Sequence, residues 1–281
     1  MRTRNNNPIN IQSNNFNIAL ANSYHLSIQL GVSHFSYCLL NTITLTYDYA
    51  KQHTLSSVND TAEEITEIIN NDIIIKSEFS TQSIAFVNFP STLVPSSLYK
   101  KEEAETILAF NTEIMGEILA DTIPSQKAHL IYSVPKSILN LVNNFFPKAK
   151  QKAQESILIQ QYSQLNNNTK KAYLYLNQKK ATITFLKRNK VVFNNSFAYT
   201  TKEDLLYFVL FSFEQLKLST ENIEVILFGS IEKNDEYFNL LYDYIRNITL
   251  GKRPYQFTFP AEFDSLAEHK YFGLFTQVLC V

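Results

Sequence analysis

The chain contains two stretches with the same predicted order of elements, and this duplication constrains its fold more than any other feature. Residues 24–52 and 171–197 each have the pattern of three apolar strands joined by tight turns. Helices and strands alternate after each stretch, so both halves are predicted to be βββαβαβα. A repeated unit of this size indicates a duplicated α/β fold rather than a solenoid array.

Apolar spacing sets several element boundaries in these two halves. Helices are predicted over residues 102–115 and 237–248, where apolar side chains recur at helical intervals. Thr201 and Asp204 form a capping box for a further helix, and Asn59 and Asp60 offer N-caps for another. Residues 255–259 are predicted to be a last strand and residues 266–280 a last helix.

The chain divides into three predicted regions. Residues 1–22 are rich in asparagine and contain no apolar signal segment, so they are expected to be a flexible N-terminal tail. The run Asn166-Asn167-Asn168 is typical of a joint between domains. It separates a first domain, residues 23–165, from a second domain, residues 166–281.

Composition excludes several classes of site. With five glycines, the sequence contains no GxGxxG dinucleotide loop, no Walker loop and no GxSxG nucleophile elbow. Cys38, Cys280 and the five histidines lack the spacing of metal ligands, so no metal site is predicted.

A net charge of −1 gives no general attraction to nucleic acid or to an anionic membrane. No apolar run is long enough to span a bilayer, and a cytoplasmic protein is expected.

Several segments together resemble one known superfamily. They are LSIQLGVSHFSYCLLN (residues 26–41), the LVP of residues 93–95, the SVP of residues 133–135, FAYTTKEDLLYFVLFSFEQL (197–216), VILFGS (225–230) and HKYFGLF (269–275). The sequence is similar over residues 24–281 to the actin-like ATPases and, more narrowly, to a bacterial family of unknown function assigned to that fold. The resemblance implies two ribonuclease-H-like halves with an interdomain cleft. That family has no established catalytic residues, so none is assigned here.

The superfamily pattern gives candidate cleft residues and also shows what has changed. Its first hairpin normally carries an acid, any residue and a glycine, where the acid holds the water shell of a metal ion. The equivalent triplets here are Gln29-Leu30-Gly31 and Tyr175-Leu176-Asn177, and the usual glycine pair of the nucleoside site is Gly229-Ser230. The candidate cleft residues are therefore Gln29, Gly31, Ser33, Asn177, Gly229 and Ser230.

The missing acids argue against the usual activity. Metal-assisted charge stabilisation contributes several kcal/mol, and a loss of about 4 kcal/mol slows a reaction roughly a thousandfold. With neutral residues at both acid positions, no ATP or magnesium cofactor and no catalytic residue are expected.

The second half contains a basic segment. No acid occurs between residues 156 and 202, and five cations are predicted to gather at the end of the sheet away from the cleft: Lys170, Lys171, Lys187, Arg188 and Lys190. Two interpretations stay open. The cations form an anion-binding patch for RNA, an acidic partner or a phosphate, or they are solvated turn residues that discourage edge pairing.

Three functions follow from the sequence. The leading hypothesis is a non-catalytic, actin-like pseudo-ATPase that acts as a binding or scaffold module for a protein partner of unknown identity. The first alternative is a divergent ATPase or sugar-kinase-like phosphotransferase that recruits acids from elsewhere. The second alternative is an RNA- or anion-associated module. The sequence does not indicate an oligomeric state.

Overall fold

The computed structural model describes residues 8–56, 61–177 and 179–281. The predicted N-caps Asn59 and Asp60 lie outside these ranges. The described chain forms two compact units. The N-terminal unit comprises Pro8–Leu158, Pro254–Ser265 and Gly273–Val281, and the C-terminal unit comprises Ile159–Arg253 and Leu266–Phe272. The domain borders drawn from the sequence, at residues 23–165 and 166–281, remain a prediction.

The elements follow one another in this order. Up to the border at Leu158 they are β1 (Asn10–Gln12), β2 (Tyr24–Gly31), β3 (His34–Asn41), β4 (Thr46–Thr54), α1 (Thr61–Asn71), β5 (Thr81–Val87), β6 (Ser91–Pro95), α2 (Ala104–Asn111), β7 (Glu117–Ile123), β8 (Ala128–Val134), α3 (Lys136–Phe145), β9 (Lys150–Ala153) and the start of α4 (Gln154–Leu165). Beyond it are β10 (Lys170–Leu176), β11 (Lys180–Lys187), β12 (Lys190–Ala198), α5 (Lys202–Gln215), β13 (Glu224–Gly229), α6 (Glu236–Tyr244), β14 (Asn247–Leu250) and α7 (Phe272–Thr276).

The main sheets of the two units share one topology. The strand orders are β1-β4-β3-β2-β5-β9 and β12-β11-β10-β13-β14. Without β1, both orders are 3-2-1-4-5 when only the strands of each sheet are counted along the chain. The first three strands of each sheet pair antiparallel, and the last two join in parallel. The predicted duplication of an α/β unit is therefore confirmed.

A β-bulge lies at the same place in each sheet. In the N-terminal unit the register shifts after Leu39 and leaves Asp48 of β4 as the extra residue. In the C-terminal unit it shifts after Phe185 and leaves Val192 of β12 as the extra residue. Leu39 and Phe185 are each the sixth residue of an eight-residue second strand. Asp48 and Val192 are thus equivalent positions in the two units.

Apolar periodicity explains how each unit packs. All eight residues of β2 are buried, as expected for a central strand covered on both faces. In the C-terminal unit, Leu205, Val209 and Phe213 form the buried stripe of α5 and pack into the core of that unit's sheet. The predicted capping box starts α5, since Thr201 accepts from the Asp204 N–H and Asp204 accepts from the Thr201 N–H.

Two predicted helices end early. Instead of a helix over residues 102–115, a 3-10 turn precedes α2, which stops at Asn111 because Thr112 is extended. The chain then forms β7, part of a three-stranded sheet ordered β6-β8-β7 that the sequence did not reveal. The helix predicted over residues 237–248 stops at Tyr244. The β-branched segment after it forms β14, which pairs with β13.

Two further predictions near the C-terminus are wrong. Residues 255–259 make one isolated bridge, Thr46 to Thr258, and the rings of Phe257 and Phe259 pack against Tyr47 with centroids 5.2 Å away. The helix predicted over residues 266–280 is reduced to α7 and a 3-10 turn. Tyr271 has φ of 55°, a left-handed conformation that a helix cannot continue through.

The predicted flexible tail is also corrected where the structure describes it. Residues 1–7 lie outside the described ranges. Beyond them, β1 pairs antiparallel with β4, Ile9 is buried and Ile18–Ser23 forms a 3-10 helix. Polar composition misled the prediction here, because backbone pairing along a strand edge depends little on side chains. Among the described helices, none is long and apolar enough to cross a membrane.

Candidate functional site

Gln29 stands where the superfamily's first acid would be, and it is a neutral amide. The side chain is buried on β2, opposite Ser36 of β3, and Nε2 has no hydrogen-bond partner. It lies beside a second amide, since the Nε2 atoms of Gln29 and Gln154 would be 3.2 and 2.9 Å from a Cβ placed on Gly273. The side chains of Gln29 and Gln154 thus bring two uncharged amides together near Gly273.

Gly31 is retained, but an imidazole lies over it. The His34 Cε1 atom would be 3.2 Å from a Cβ on Gly31, and the Val87 carbonyl oxygen 3.4 Å. The Ser33 hydroxyl lies 3.4 Å from Nδ1 of the same ring. Burial lowers the pKa of His34 to about 4, so the ring is neutral at pH 7. A neutral side chain thus fills the space beside the glycine where a phosphate would need access.

Two buried carboxylates of the N-terminal unit have structural partners. Asp72 accepts from the Tyr37 hydroxyl (2.7 Å) and from Lys51 Nζ (2.9 Å). Burial alone would raise the pKa of Asp72, but these hydrogen bonds and the Lys51 charge outweigh it and lower the pKa. Asp121 accepts from the Ala153 N–H at 2.8 Å, and burial raises its pKa. Neither carboxylate takes the place of the missing acid at Gln29.

The second hairpin, in the C-terminal unit, is closed by backbone contacts and a tyrosine. The Asn177 N–H donates to the Lys180 carbonyl oxygen (2.8 Å), and the Tyr199 hydroxyl donates to the Asn177 carbonyl oxygen (2.6 Å). The Tyr199 N–H donates in turn to the Lys179 carbonyl oxygen (3.0 Å). Asn177, at the position of the superfamily's second glycine, therefore lies in a turn closed by the chain's own backbone, and the acid position before it is the neutral Tyr175 of β10.

Gly229 ends β13 in a conformation that requires glycine. Its φ is +87°, and a Cβ would lie 2.1 Å from the carbonyl oxygen of Leu176. This close approach brings the loop after β13 against the end of β10. The glycine is retained for backbone packing within the C-terminal unit.

The four consecutive N–H groups of residues 229–232 are all occupied within the C-terminal unit. They donate, in order, to the carbonyl oxygens of His269 (3.0 Å), Leu176 (2.6 Å) and Gly229 (3.0 Å), and to a carboxylate oxygen of Asp235 (3.0 Å). His269 Nε2 also donates to the Ile231 carbonyl oxygen at 2.6 Å. Backbone N–H groups that contact a phosphate in a nucleotide loop are here already bonded to the chain itself.

Helix N-termini, the other common anion sites, carry the chain's own side chains. Asp121 accepts from the N–H of Ala153, the residue before α4. Asp204 and Thr201 cap α5, and Asp235 caps α6 by accepting from the Phe238 N–H at 2.6 Å. These carboxylates satisfy the positive ends of three helices internally.

The basic cluster predicted from the sequence is largely assembled by the second sheet. Lys170 faces Lys187 across β10 and β11, and Lys187 faces Lys190 across β11 and β12. Arg188 lies in the turn between β11 and β12, with φ of 51°. Lys171 instead forms an ion pair with Glu224 at 3.0 Å. Four cations therefore lie together at this end of the sheet. Like charges that face each other across paired strands destabilise the fold.

These features together do not fit a magnesium-bound nucleotide. The positions of the superfamily's acids, Gln29 and Tyr175, are neutral in both units, and in the C-terminal unit the N–H groups of residues 229–232 are already bonded. Across the described ranges, no group of three or more His, Cys, Asp or Glu side chains is arranged to hold a metal ion.

Comparison with known proteins identifies the fold but not an activity. A family model described as a protein of unknown function matches residues 13–248. A crystal structure from Bacteroides thetaiotaomicron, described as having an actin-like ATPase fold and unknown function, aligns with TM-score 0.80 and 19% identity over 95% of this chain and 99% of that one. The PilM-PilN type IV pilus biogenesis complex aligns with TM-score 0.56 and 12% identity over 91% and 96%. No curated protein matches the sequence. The actin-like ATPase fold is thus confirmed.

Proposed function

This chain belongs to the DUF3822 family of proteins of unknown function, and we propose that it is a non-catalytic, actin-like protein that works by binding a protein partner. The duplicated architecture is complete, whereas the chemistry that would bind and hydrolyse a nucleotide is replaced. The candidate residues Gln29, Gly31, Ser33, Asn177, Gly229 and Ser230 would then be structural remnants of a nucleotide site.

One observation carries the proposal: the N–H groups of residues 229–232 are bonded within the C-terminal unit. A nucleotide would have to break these hydrogen bonds, and each buried partner that is left unsatisfied costs about 1–3 kcal/mol. The neutral Gln29 supports the same conclusion, since an amide lacks the negative charge with which a carboxylate holds the water shell of a magnesium ion.

A protein partner is favoured by what the same fold does elsewhere. PilM, whose complex with PilN belongs to type IV pilus biogenesis, resembles this chain in fold and was solved with a protein bound to it. That likeness supports partner binding as a role for the architecture, and the PilN interaction itself is not transferred.

The test combines two measurements on the full chain. Isothermal titration calorimetry with ATP and magnesium should give no binding heat in the micromolar range, and a phosphate-release assay should give no turnover. Micromolar binding together with turnover that Gly31→Ala abolishes would overturn the proposal. Turnover that survives in Gly31→Ala indicates a contaminating ATPase. In that case the binding heat measured by calorimetry is the test of the proposal.

A further inference from the structure

The outer edges of the two equivalent third strands differ. In the N-terminal unit, β1 pairs antiparallel with β4 and places Asn10–Gln12 opposite residues 49–51. In the C-terminal unit, β12 is the edge strand, and within the described residues no strand pairs with its outer side. The fold therefore accepts an added strand at this edge in one unit and leaves the same edge open in the other.

The shared bulge identifies the matching positions. Tyr49 directly follows the extra residue Asp48, and Phe193 directly follows the extra residue Val192. Residues 49–51, which β1 covers, are therefore equivalent to residues 193–195. A strand added to β12 in the same way would lie opposite those three residues.

The bulge residues show what such a strand would need. Asp48 is buried and anchors the chain after β1, because its carboxylate accepts from the Ser13 hydroxyl (2.8 Å) and its carbonyl oxygen accepts from the Ser13 N–H (2.8 Å). Its counterpart Val192 is 53% exposed. At this position the C-terminal unit offers an apolar contact instead of a polar anchor.

Beyond Lys190, the edge strand lacks two common protections against pairing, charged side chains and proline. β12 is nine residues long, and residues 191–198 contain no charged side chain and no proline. Natural edge strands are commonly short or interrupted by lysine or proline, because an open edge offers its backbone groups to another chain. Two features interrupt this edge: the bulge at Val192, and the Ser196 N–H, which donates to Oδ1 of Asn195 (2.9 Å) and would exchange that bond for one to an added strand.

An aromatic surface continues from this strand onto α5. The rings of Phe197 and Phe208 stack with centroids 4.9 Å apart, and Tyr207 and Phe211 stack at 5.8 Å. Tyr207 is 61% exposed and Phe211 44%. Apolar side chains of an added strand would find partners here.

The basic cluster lies at the other end of the same edge. Lys190 begins β12 and pairs with Lys187 of β11, which in turn pairs with Lys170 of β10. Arg188 lies in the turn between Lys187 and Lys190. β1 runs antiparallel to β4 and leaves toward the start of that strand. A strand added to β12 in the same sense would end beside these cations.

We propose that the β12 edge binds an extended, acidic segment of a partner protein as an additional antiparallel strand. The segment would pair with residues 193–195, place an apolar residue on Val192 and end in acidic residues beside Lys187, Arg188 and Lys190. This inference rests on the proposed function, because it names the class of partner and its binding surface. Backbone pairing supplies affinity and side-chain contacts supply selectivity, as in other cases of strand addition.

The experiment uses a random-peptide display library selected against the full chain. Selected peptides should share an apolar residue followed by acids, and their amide-exchange footprint should cover residues 193–196. Their affinity should fall at least about tenfold in Lys187→Glu/Arg188→Glu and weaken with added salt. The matched control, Lys233→Glu/Lys252→Glu, has the same charge change at exposed sites of the same unit and should bind as the wild type does.

Other outcomes would overturn the inference. Peptides that bind elsewhere, or an empty selection, would remove the β12 site. Polyuridylate binding lost in the same double variant, with no selected peptide, would identify RNA as the ligand. Concentration-dependent dimerisation abolished by Val192→Lys would identify a second copy of the chain. Peptide binding away from β12 leaves the proposed function intact, whereas magnesium-ATP binding contradicts the proposed function and leaves a β12 footprint unaffected.

Discussion

The two units of this protein share one sheet topology and differ in the side chains at equivalent positions. Both have a 3-2-1-4-5 sheet with a bulge at the same position. In the N-terminal unit the bulge residue is a buried aspartate that holds an added strand, and in the C-terminal unit it is an exposed valine on an open edge.

The start of the first strand differs in the same way. The second residue of β2 is His25, buried between Thr81 and Ser83, whereas the second residue of β10 is Lys171, in an ion pair with Glu224. In the N-terminal unit these two positions, Asp48 and His25, make buried polar contacts. In the C-terminal unit the equivalent residues are the exposed Val192 and the charged Lys171, and we expect a binding surface on that side.

The largest predicted difference concerns the two glycines retained near the hairpins. Gly229→Ala should lower the free energy of unfolding by more than about 3 kcal/mol, because φ is left-handed and the new Cβ meets a backbone oxygen. Gly31→Ala should cost about 1 kcal/mol or less, since only the His34 ring must move. Urea unfolding of both variants checks this, and equal costs would contradict it.

The next prediction concerns the pH dependence of stability that His25 causes. Burial, with a smaller contribution from Lys150, lowers the pKa of His25 to about 4, against about 6.5 in the unfolded chain. The unfolded state therefore takes up a proton first as pH falls, and His25 should contribute a decline in stability of roughly 3 kcal/mol between about pH 6.5 and about pH 4, in addition to the decline from His34 in the same range. An NMR titration of His25 should give the low pKa, and His25→Gln should remove the His25 contribution and leave that of His34. A pKa of His25 near 6.5 would refute the assignment.

The bulge residues give a smaller effect. Asp48→Val should cost about 2 kcal/mol, because the buried hydroxyls of Ser13 and Tyr24 lose their acceptor. Hydrogen exchange in β1 should speed up at the same time. The control Val192→Ser, at the equivalent position, should change stability by no more than about 0.5 kcal/mol. If both substitutions cost the same, the two edges do not differ as described.

The smallest effect is expected for Glu224→Gln. The ion pair is partly exposed, since the side chain of Glu224 is 44% exposed and that of Lys171 12%, so its loss should cost about 1 kcal/mol. Added salt should remove most of the difference between variant and wild type. Thermal melts at low and high salt measure it, and a salt-independent loss above about 2 kcal/mol would contradict the comparison.

Sequence patterns predicted the fold where local signals were strong. The apolar run of β2 and the capping box at Thr201 gave correct elements. The errors arose where local preference lost to long-range packing. Residues 266–271 have helical composition, yet Tyr271 is left-handed. β7 has a mixed exposure pattern that no periodicity marks as a strand.

The site was predictable only in part. The substitution of an acid by Gln29 is visible in the sequence. The carbonyl of His269 that accepts from Gly229 comes from about forty residues away and has no local signal. The His34 side chain lies over Gly31 because of how the hairpin folds back, and no local pattern in the sequence marks this contact.

Amide hydrogen exchange at residues 229–232 tests the central claim most directly. If these N–H groups are bonded within the C-terminal unit, they should exchange slowly in the free protein and at the same rate when ATP and magnesium are added. Fast exchange in the free protein, slowed by the nucleotide, would show that the loop is an open phosphate site and would contradict the account.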